Sequence, residues 1–436
     1  MSEHITPITD RLPENKKNTR ATDNIALRTV PQHELLQEKS WLKKLLLTDW
    51  LFAAMIIAVA MMVHIKLPHH MDIYETVILW VSATAAIGLG WFFKPLRWFI
   101  VGSVAVAYLA VGLYDGNILH SGDKPHGKFL LRYLLSSQSA IMWQAALTVF
   151  AFVMYGLGTL TAWQQEKRLP SESATSVLGR SKPNTLLGMA SGLAWAAAFA
   201  GFVGLLVRWH ESYLLRPDAG HIPVSNLYEV FILFMVITGL MYLYYERKFA
   251  MYKLGVFVYT LMCGLVAFTL WYSLERGAHE IQPLIPALQS WWMKIHVPAN
   301  FIGYGAFCMA AAFGTAELLA LRSQVKGKRR FLPEPALIEE AMYKAIAVGF
   351  LFFTIATILG ALWAADAWGR YWSWDPKETW AFIVWLNYAI WLHLRLVAGW
   401  RGKVLAWWAI IGLFITAFAF VGVNMFLTGL HSYGSL

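Results

Sequence analysis

The stretch Trp368-Gly-Arg-Tyr-Trp-Ser-Trp-Asp-Pro-Lys-Glu-Thr-Trp380 lies between two long apolar runs. It holds four tryptophans in thirteen residues, interleaved with Arg370 and Lys377. The flanking runs predict membrane-crossing helices joined by a loop at the membrane surface. Planar aromatic faces and cations together suit a large, flat, apolar ligand with acidic edges. The alternative is an interfacial aromatic belt, although belt residues are scattered rather than packed into one loop.

Apolar composition is typical of most of this chain of 436 residues. The chain is 58% hydrophobic and 14% charged, with a mean hydropathy of +0.49, which is outside the range of soluble proteins. Apolar runs of about 20 residues recur along its length. We therefore predict an all-α fold, a polytopic transmembrane helical bundle of about 11 spans. The predicted spans are 45–64, 73–92, 96–115, 139–163, 185–207, 227–245, 252–272, 298–321, 345–363, 378–398 and 404–426.

The net charge of +10 is distributed unevenly along the chain. With the N-terminus placed in the cytoplasm, 26 of the 36 Lys and Arg residues lie inside and 10 outside. This asymmetry satisfies the positive-inside rule and places the C-terminus on the external, periplasmic face. The basic surplus is therefore a topology signal, and we predict no nucleic-acid partner. The predicted location is the inner (cytoplasmic) membrane, with an active external face.

The chain divides into three predicted regions. Residues 1–44 are polar and predict a disordered cytoplasmic tail, and the first apolar run begins too late for a cleavable signal peptide. Residues 45–200 predict N-terminal transmembrane helices, and 201–436 predict a core that contains the tryptophan-rich segment. Cys263 and Cys308 lie in predicted spans, where small apolar packing is expected rather than a disulfide or a metal site.

Two histidines are predicted at the external face with the tryptophan loop, which we define as residues 364–377. His296 lies at the outer mouth of the eighth span, and His431 follows the last span. Neutral imidazole is a common axial ligand of haem iron, and two imidazoles would coordinate the iron from opposite faces. The alternative is a pair of interfacial histidines that hydrogen-bond to loops.

His393 is predicted at a different depth. It lies about 15 residues into the tenth span, roughly 22 Å below the outer surface. It shares an apolar helix face with Phe382 and Leu386, so a polar side chain there is a functional candidate. A structural histidine bonded to a neighbouring helix is the alternative. No second histidine matches its depth, so a second ligand of an iron there is expected from another subunit.

Several polar residues near the external face have a structural interpretation. Asp375, Pro376 and Glu378 form the pattern of a helix start, with Asp as N-cap, Pro at the first position and Glu at the third. Capping is favoured over catalysis for both carboxylates. The segment from Gly220 to Glu229 also precedes a helix, and either Ser225 or Asn226 would cap it. Three of its residues are candidates for ligand contact: His221, Asn226 and Glu229.

The run from Gly360 to Trp380, followed by Trp391-Leu-His-Leu-Arg395, resembles the tryptophan-rich WWD domain of haem-handling membrane proteins. Within that superfamily the chain is similar to the CcsA (ResC) family of system II cytochrome c biogenesis. Two further matches are Pro283-Leu-Ile-Pro-Ala-Leu-Gln289, which leads to His296, and Gly429-Leu-His-Ser-Tyr-Gly434. The resemblance covers about residues 220–436, with the WWD domain at about 360–395, whereas residues 1–200 match only in being helical.

The resemblance implies a set of roles. His296 and His431 are expected to ligate an external haem b, and His393 an intramembrane haem. Haem would be conveyed to the outer face and held for thioether attachment to the CxxCH motif of apocytochrome c. This holocytochrome c synthase (haem lyase) activity would require a ResB/CcsB-type membrane partner. Arg370 and Lys377 are expected to contact haem propionates. The residues expected to pack on the porphyrin are Trp363, Trp368, Tyr371, Trp372, Trp374 and Trp380.

Other classes of function remain as alternatives. A haem exporter or chaperone of the WWD superfamily would use the same aromatic surface without thioether formation. A di-haem membrane electron carrier would need histidine pairs at matched depths on facing helices, and the three candidates do not form such pairs. A purely structural membrane scaffold would bind no haem.

Overall fold

The computed structural model describes residues 45–66, 71–115, 129–168, 183–215, 220–284, 286–326 and 331–430. Within these ranges every regular element is helical, which confirms the predicted all-α class. The predicted tail, 1–44, lies outside the described residues, as does His431.

Eleven long helices make up this part of the chain. They are α1 (Leu47–Lys66), α2 (Ile73–Phe92), α3 (Pro95–Tyr114), α4 (Ser137–Arg168), α5 (Thr185–Leu215), α6 (Leu227–Phe249), α7 (Gly255–Arg276), α8 (Met293–Val325), α9 (Pro335–Trp368), α10 (Pro376–Leu396) and α11 (Lys403–Ala417). A π-helical turn, Phe418–Gly422, continues α11 into a last turn, Val423–Phe426. Helix α5 runs without a break through position 200, where the sequence predicted a division into regions.

Ten of these helices are long and apolar enough to cross a membrane. The exception is α10, whose 21 residues include Lys377, Glu378, Asn387, His393 and Arg395. The predicted polytopic bundle is therefore confirmed, with ten apolar spans and one more polar helix among the described residues. The orientation of the bundle in the membrane stays a prediction.

Helix α8 is the centre of the bundle. In its most apolar window 78% of the residues are buried, against 11% to 28% in α1, α2 and α3. Small residues let its neighbours approach closely. A methyl group added at Gly314 would lie only 2.8 Å from the backbone oxygen of Ala406 on α11. Cys308 is buried in this helix and Cys263 lies on α7, and both thiols are free.

Helix α10 is held in this core despite its polar residues. The ring of Tyr388 stacks on Phe307 of α8, with centroids 3.5 Å apart and an interplanar angle of 7°. The indole N–H of Trp391 donates to the Leu405 carbonyl at 3.0 Å. Asn387 accepts a 3.0 Å hydrogen bond from the indole N–H of Trp408. These contacts fix the angle at which α10 leaves the tryptophan loop.

Candidate functional site

The imidazole of His296 occupies a slot on the surface of α9. Its Nδ1 lies 2.8 Å from the backbone oxygen of Ala356. Because a carbonyl oxygen only accepts, Nδ1 carries the hydrogen and the lone pair resides on Nε2. The ring lies nearly parallel to that of Trp363, at 19° and 6.4 Å. A methyl group added at Gly360 would lie 2.8 Å from Cε1, so only glycine leaves room for the ring. This tautomer is the one in which Nε2 is the ligating atom.

Two adjoining cavities open beside this imidazole. The larger, of about 600 Å³, is lined mainly by the starts of α6 and α8, the end of α7 and the two turns that follow α11. The smaller, of about 90 Å³, lies between α8, α9 and the tryptophan loop. The larger volume lies within the range of sites for cofactor-sized ligands. Five side chains line both cavities: His296, Asn300, Tyr304, Trp363 and Lys377.

The wall of the larger cavity is divided about evenly between apolar and polar surface. Trp271 and Tyr272 of α7 form one side, and Phe420 of the π-helical turn forms another. Among its polar groups are Arg276 at the end of α7 and Asn226 at the start of α6. Aromatic and aliphatic side chains beside polar ones suit a flat, mostly apolar ligand that has polar edges.

Lys377 lies inside this site rather than on the surface of the loop. Its ammonium nitrogen donates to Asn424 Oδ1 at 2.5 Å and lies 5.9 Å from the centre of the Phe420 ring. Sequence reasoning missed Asn424, because 47 residues separate it from Lys377. The pair joins the start of α10 to the last turn, Val423–Phe426, at the boundary between the two cavities.

The start of α10 has the hydrogen bonds of a capping box. Asp375 Oδ1 accepts from the Glu378 backbone N–H at 3.0 Å, and Glu378 Oε2 accepts from the Asp375 N–H at 3.3 Å. Pro376 occupies the first helical position. The Ser373 N–H also donates to Glu378, at 2.6 Å. The Asp-Pro-Lys-Glu pattern therefore caps α10, and its hydrogen bonds anchor the end of the tryptophan loop.

The tryptophan loop divides its aromatic side chains between the cavity and the surface. Tyr371 and Trp372 line the smaller cavity. The buried indole nitrogen of Trp372 has no hydrogen-bond partner among the described residues. Trp374 has a φ of +58° and is 66% exposed, and its ring meets Trp372 edge-on. Arg370 is exposed and lines neither cavity.

Two further tryptophans, Trp368 and Trp380, pack against neighbouring aromatic rings and line neither cavity. Trp368 meets Trp363 edge-on, with ring centroids 4.7 Å apart. Trp380 packs against Phe418 at 4.4 Å and belongs to the core around α11. Of the aromatic residues predicted to contact a ligand, the structure brings Trp363, Tyr371 and Trp372 to the cavities that His296 lines.

The last described residues of the chain also lie near the two cavities. A methyl group added at Gly429 would lie 2.8 Å from Asp375 Oδ2 and 2.9 Å from Pro376 Cδ. The residues just before His431 therefore lie against the start of α10, close to Lys377. His431 itself lies outside the described residues, so its pairing with His296 stays a prediction.

His393 lies at the opposite end of α10. It is 17 residues after Pro376, a rise of about 26 Å along the helix. Its side chain is exposed, as are those of Phe382 and Leu386, so this face points away from the chain's own core. Nearby, Arg395 pairs with Glu339 at 3.1 Å. A second ligand for His393 from another subunit stays a prediction.

The segment before α6 is tied to the bundle by a buried ion pair. Asn226 is the N-cap, and its Oδ1 accepts from the Glu229 N–H at 2.9 Å. Glu229 pairs with Arg208 of α5 at 2.6 Å, and both side chains are at most 2% exposed. Arg208 also donates to the His279 carbonyl at 2.8 Å. His221 lines a separate cavity. Of the three residues predicted for ligand contact in this segment, only Asn226 lines the larger cavity.

Helix α2 braces the chain just before His296, a contact that sequence reasoning did not find. The ring of Tyr74 stacks on Trp291, with centroids 4.5 Å apart and an interplanar angle of 9°. Glu75 forms an ion pair with Lys294. The N-terminal helices, which carry no recognisable motif, thus contribute to the position of the α8 start.

Comparison with known proteins finds a family match in the part of the chain that contains the cavities and the tryptophan loop. A family model described as "Cytochrome C assembly protein" matches residues 224–431. A protein named "Cytochrome c biogenesis protein CcsA" from Chlorella vulgaris is 36% identical over 264 residues, covering 53% of this chain and 81% of the relative. Proteins of the same name from Synechococcus sp. strains CC9902 and CC9311 are 36% and 35% identical over 255 and 277 residues. They cover 53% and 57% of this chain, and 81% and 88% of the relatives.

Proposed function

The chain belongs to the CcsA family of cytochrome c biogenesis proteins, and from this membership we propose that it is the membrane subunit of a system II cytochrome c synthetase. In this role it conveys haem b to the external face and holds it for attachment to apocytochrome c. Its part in cytochrome c biogenesis follows from the family. The haem site, the direction of transport and the attachment reaction are our proposal.

One observation carries the proposal: the ligating tautomer of His296 at the wall of the 600 Å³ cavity. The hydrogen bond to Ala356 orients the ring and raises the basicity of Nε2, as carbonyl partners do for metal-bound histidines. His296 is then one axial ligand of haem iron. We assign the second position to His431, because Gly429 lies against the start of α10. The aromatic walls would cover the two faces of the porphyrin.

The attachment step is an addition that needs no external oxidant. Each cysteine thiol of the CxxCH segment adds across one vinyl group, so that sulfur bonds to one carbon and hydrogen to the other. The thiols belong to apocytochrome c, and its histidine replaces one of the two axial ligands. The contribution of this chain is to hold iron and vinyl groups in place and to limit water, which favours reaction through orientation.

The intramembrane site completes the proposed route. With the N-terminus inside, His393 lies in the inner half of the bilayer, where haem arrives before it moves outward. The exposed side chain of His393 would ligate this haem together with a residue of a ResB/CcsB-type partner. An external site on one chain and an intramembrane site shared by two chains explain why the activity requires the complex.

The test is His296→Gly in the full chain expressed with its membrane partner. We expect the Soret band of the purified complex to weaken and the yield of holocytochrome c to fall, with partial recovery when imidazole is added. His279→Gly is the matched control, because His279 lies at the same end of the bundle but lines neither cavity. Normal cytochrome c maturation by the His296 variant would contradict axial ligation by this residue. A normal Soret band with no thioether formation in the unmodified complex would favour a haem exporter.

A further inference from the structure

We propose that Arg276, a residue outside the tryptophan loop, binds the propionate edge of the haem in the larger cavity. The proposal rests on the proposed function, since it names the group that recognises the carboxylates of the same ligand. It replaces Arg370 in the role that the sequence suggested, because Arg370 lines neither cavity beside His296.

The position of Arg276 is set by the end of α7. It is the last residue of that helix, and Gly277 follows with a φ of +60°, which ends the helix. The side chain lines the larger cavity and is also exposed, so the guanidinium lies at the cavity's mouth. Among the described residues Arg276 forms no ion pair, in contrast to Arg97, Arg208 and Arg395, each of which has a carboxylate within 4 Å.

The end of α7 carries aromatic side chains followed by a cation, which matches the apolar body and the acidic edge of haem. Tyr272 lies one turn before Arg276 on the same face, about 6 Å along the axis. Trp271, the neighbour of Tyr272, also lines the cavity, whereas Phe268 stacks on Tyr272 from outside the lining, with ring centroids 5.8 Å apart. An apolar ring against Trp271 and Tyr272 would have its carboxylates at the level of the guanidinium. A planar guanidinium donates two parallel hydrogen bonds to one carboxylate.

The other charged residues that line this cavity are less suited than Arg276 to bind a propionate. Glu275 also lines the cavity, and its negative charge opposes a carboxylate there. Lys377 is the second cation, but its ammonium group donates to Asn424 at the inner boundary between the cavities. Arg276 is therefore the cation at the mouth, where the acidic edge of a bound haem remains in contact with water and its apolar body does not.

The test compares haem with haem dimethyl ester, in which both propionates are esterified. The full chain is purified in detergent without haem, and each ligand is titrated while the Soret band is followed. We expect the unmodified chain to bind haem at least about tenfold more tightly than the ester, a difference typical of one hydrogen bond to a charged group. Arg276→Gln should remove this preference, and Arg276→Lys should restore part of it.

The control is Arg370→Gln, which changes the same residue type outside the cavities. We expect it to keep the preference of the unmodified chain. If Arg276→Gln keeps the full preference, or if Arg370→Gln loses it, the assignment of Arg276 is wrong while haem binding stands. If the unmodified chain, with and without its partner, binds neither compound, the proposed function itself fails. A loss of affinity for both compounds to the same degree would indicate a structural role and would also overturn the assignment.

Discussion

Replacement of Gly360 by alanine tests the position of the His296 imidazole directly. Gly360 lies on α9, one turn beyond Ala356, whose carbonyl accepts from His296. The added methyl carbon would lie 2.8 Å from His296 Cε1 and 3.2 Å from Nδ1. Carbon atoms in contact are about 3.5–4.0 Å apart, so the overlap is about 0.7 Å or more. Either the two helices separate or the ring moves.

The size of the effect follows from these two responses. Overpacking of this kind costs about 1–3 kcal/mol, whereas alanine in a helix gains only about 0.5–1 kcal/mol over glycine. If the ring moves, the hydrogen bond to Ala356 is also lost, at about 0.5–1.5 kcal/mol. We therefore expect Gly360→Ala to weaken haem binding by about 1–3 kcal/mol, or roughly 5- to 150-fold.

The assay is haem titration of the detergent-purified chain, followed at the Soret band, together with haem content after expression with the partner. The matched control is Gly264→Ala on α7, where an added methyl group meets no atom within 4 Å. This control should bind haem like the unmodified chain. Equal haem affinity in the two alanine variants would refute the position assigned to the His296 ring, or its role as ligand.

Two further substitutions test the framework of the site. Glu229→Ala leaves the Arg208 charge buried without its carboxylate, so we expect a loss of about 3–5 kcal/mol, seen as a lower melting temperature in detergent. The double variant Arg208→Met with Glu229→Leu should recover most of that loss, and no recovery would contradict the reasoning. Asp375→Ala removes a helix cap worth about 0.5–2 kcal/mol and should also reduce haem retention. Asp72→Ala removes the same kind of cap from α2, and it should leave retention closer to normal.

Sequence reasoning predicted the features that depend on residues close together in the chain or on composition alone. The capping box at Asp375 involves residues three apart, so its hydrogen bonds follow from the pattern itself. The spans follow from apolar composition, because backbone groups in lipid must be satisfied within a helix. The predicted tenth span corresponds to α10, which carries more polar residues than the ten apolar helices.

The contacts that sequence reasoning missed join residues distant in the chain. The sequence indicates a cation near an aromatic loop, but it does not show that Arg370 turns to the surface while Lys377 turns inward to Asn424. A lone arginine at the end of the fifth predicted span and a glutamate early in the sixth were a signal for the Arg208–Glu229 pair. The stacking of Tyr74 on Trp291 left no comparable signal, because aromatic residues are frequent at the ends of membrane helices.

The amino-acid sequence by itself determined that this protein is a helical membrane protein with an aromatic, cationic loop, and it gave the positions of three candidate histidines, His296, His393 and His431. Hydrophobic length and local turn chemistry are properties of short segments, and they need no knowledge of neighbours. Only the tertiary structure decided that His296 lies over Gly360, that its Nδ1 bonds to Ala356, and that a cavity opens between α6, α7, α8 and the turns after α11. Helix packing depends on which small and large side chains meet across space, so the shape of the site emerges only when all of these helices are in place.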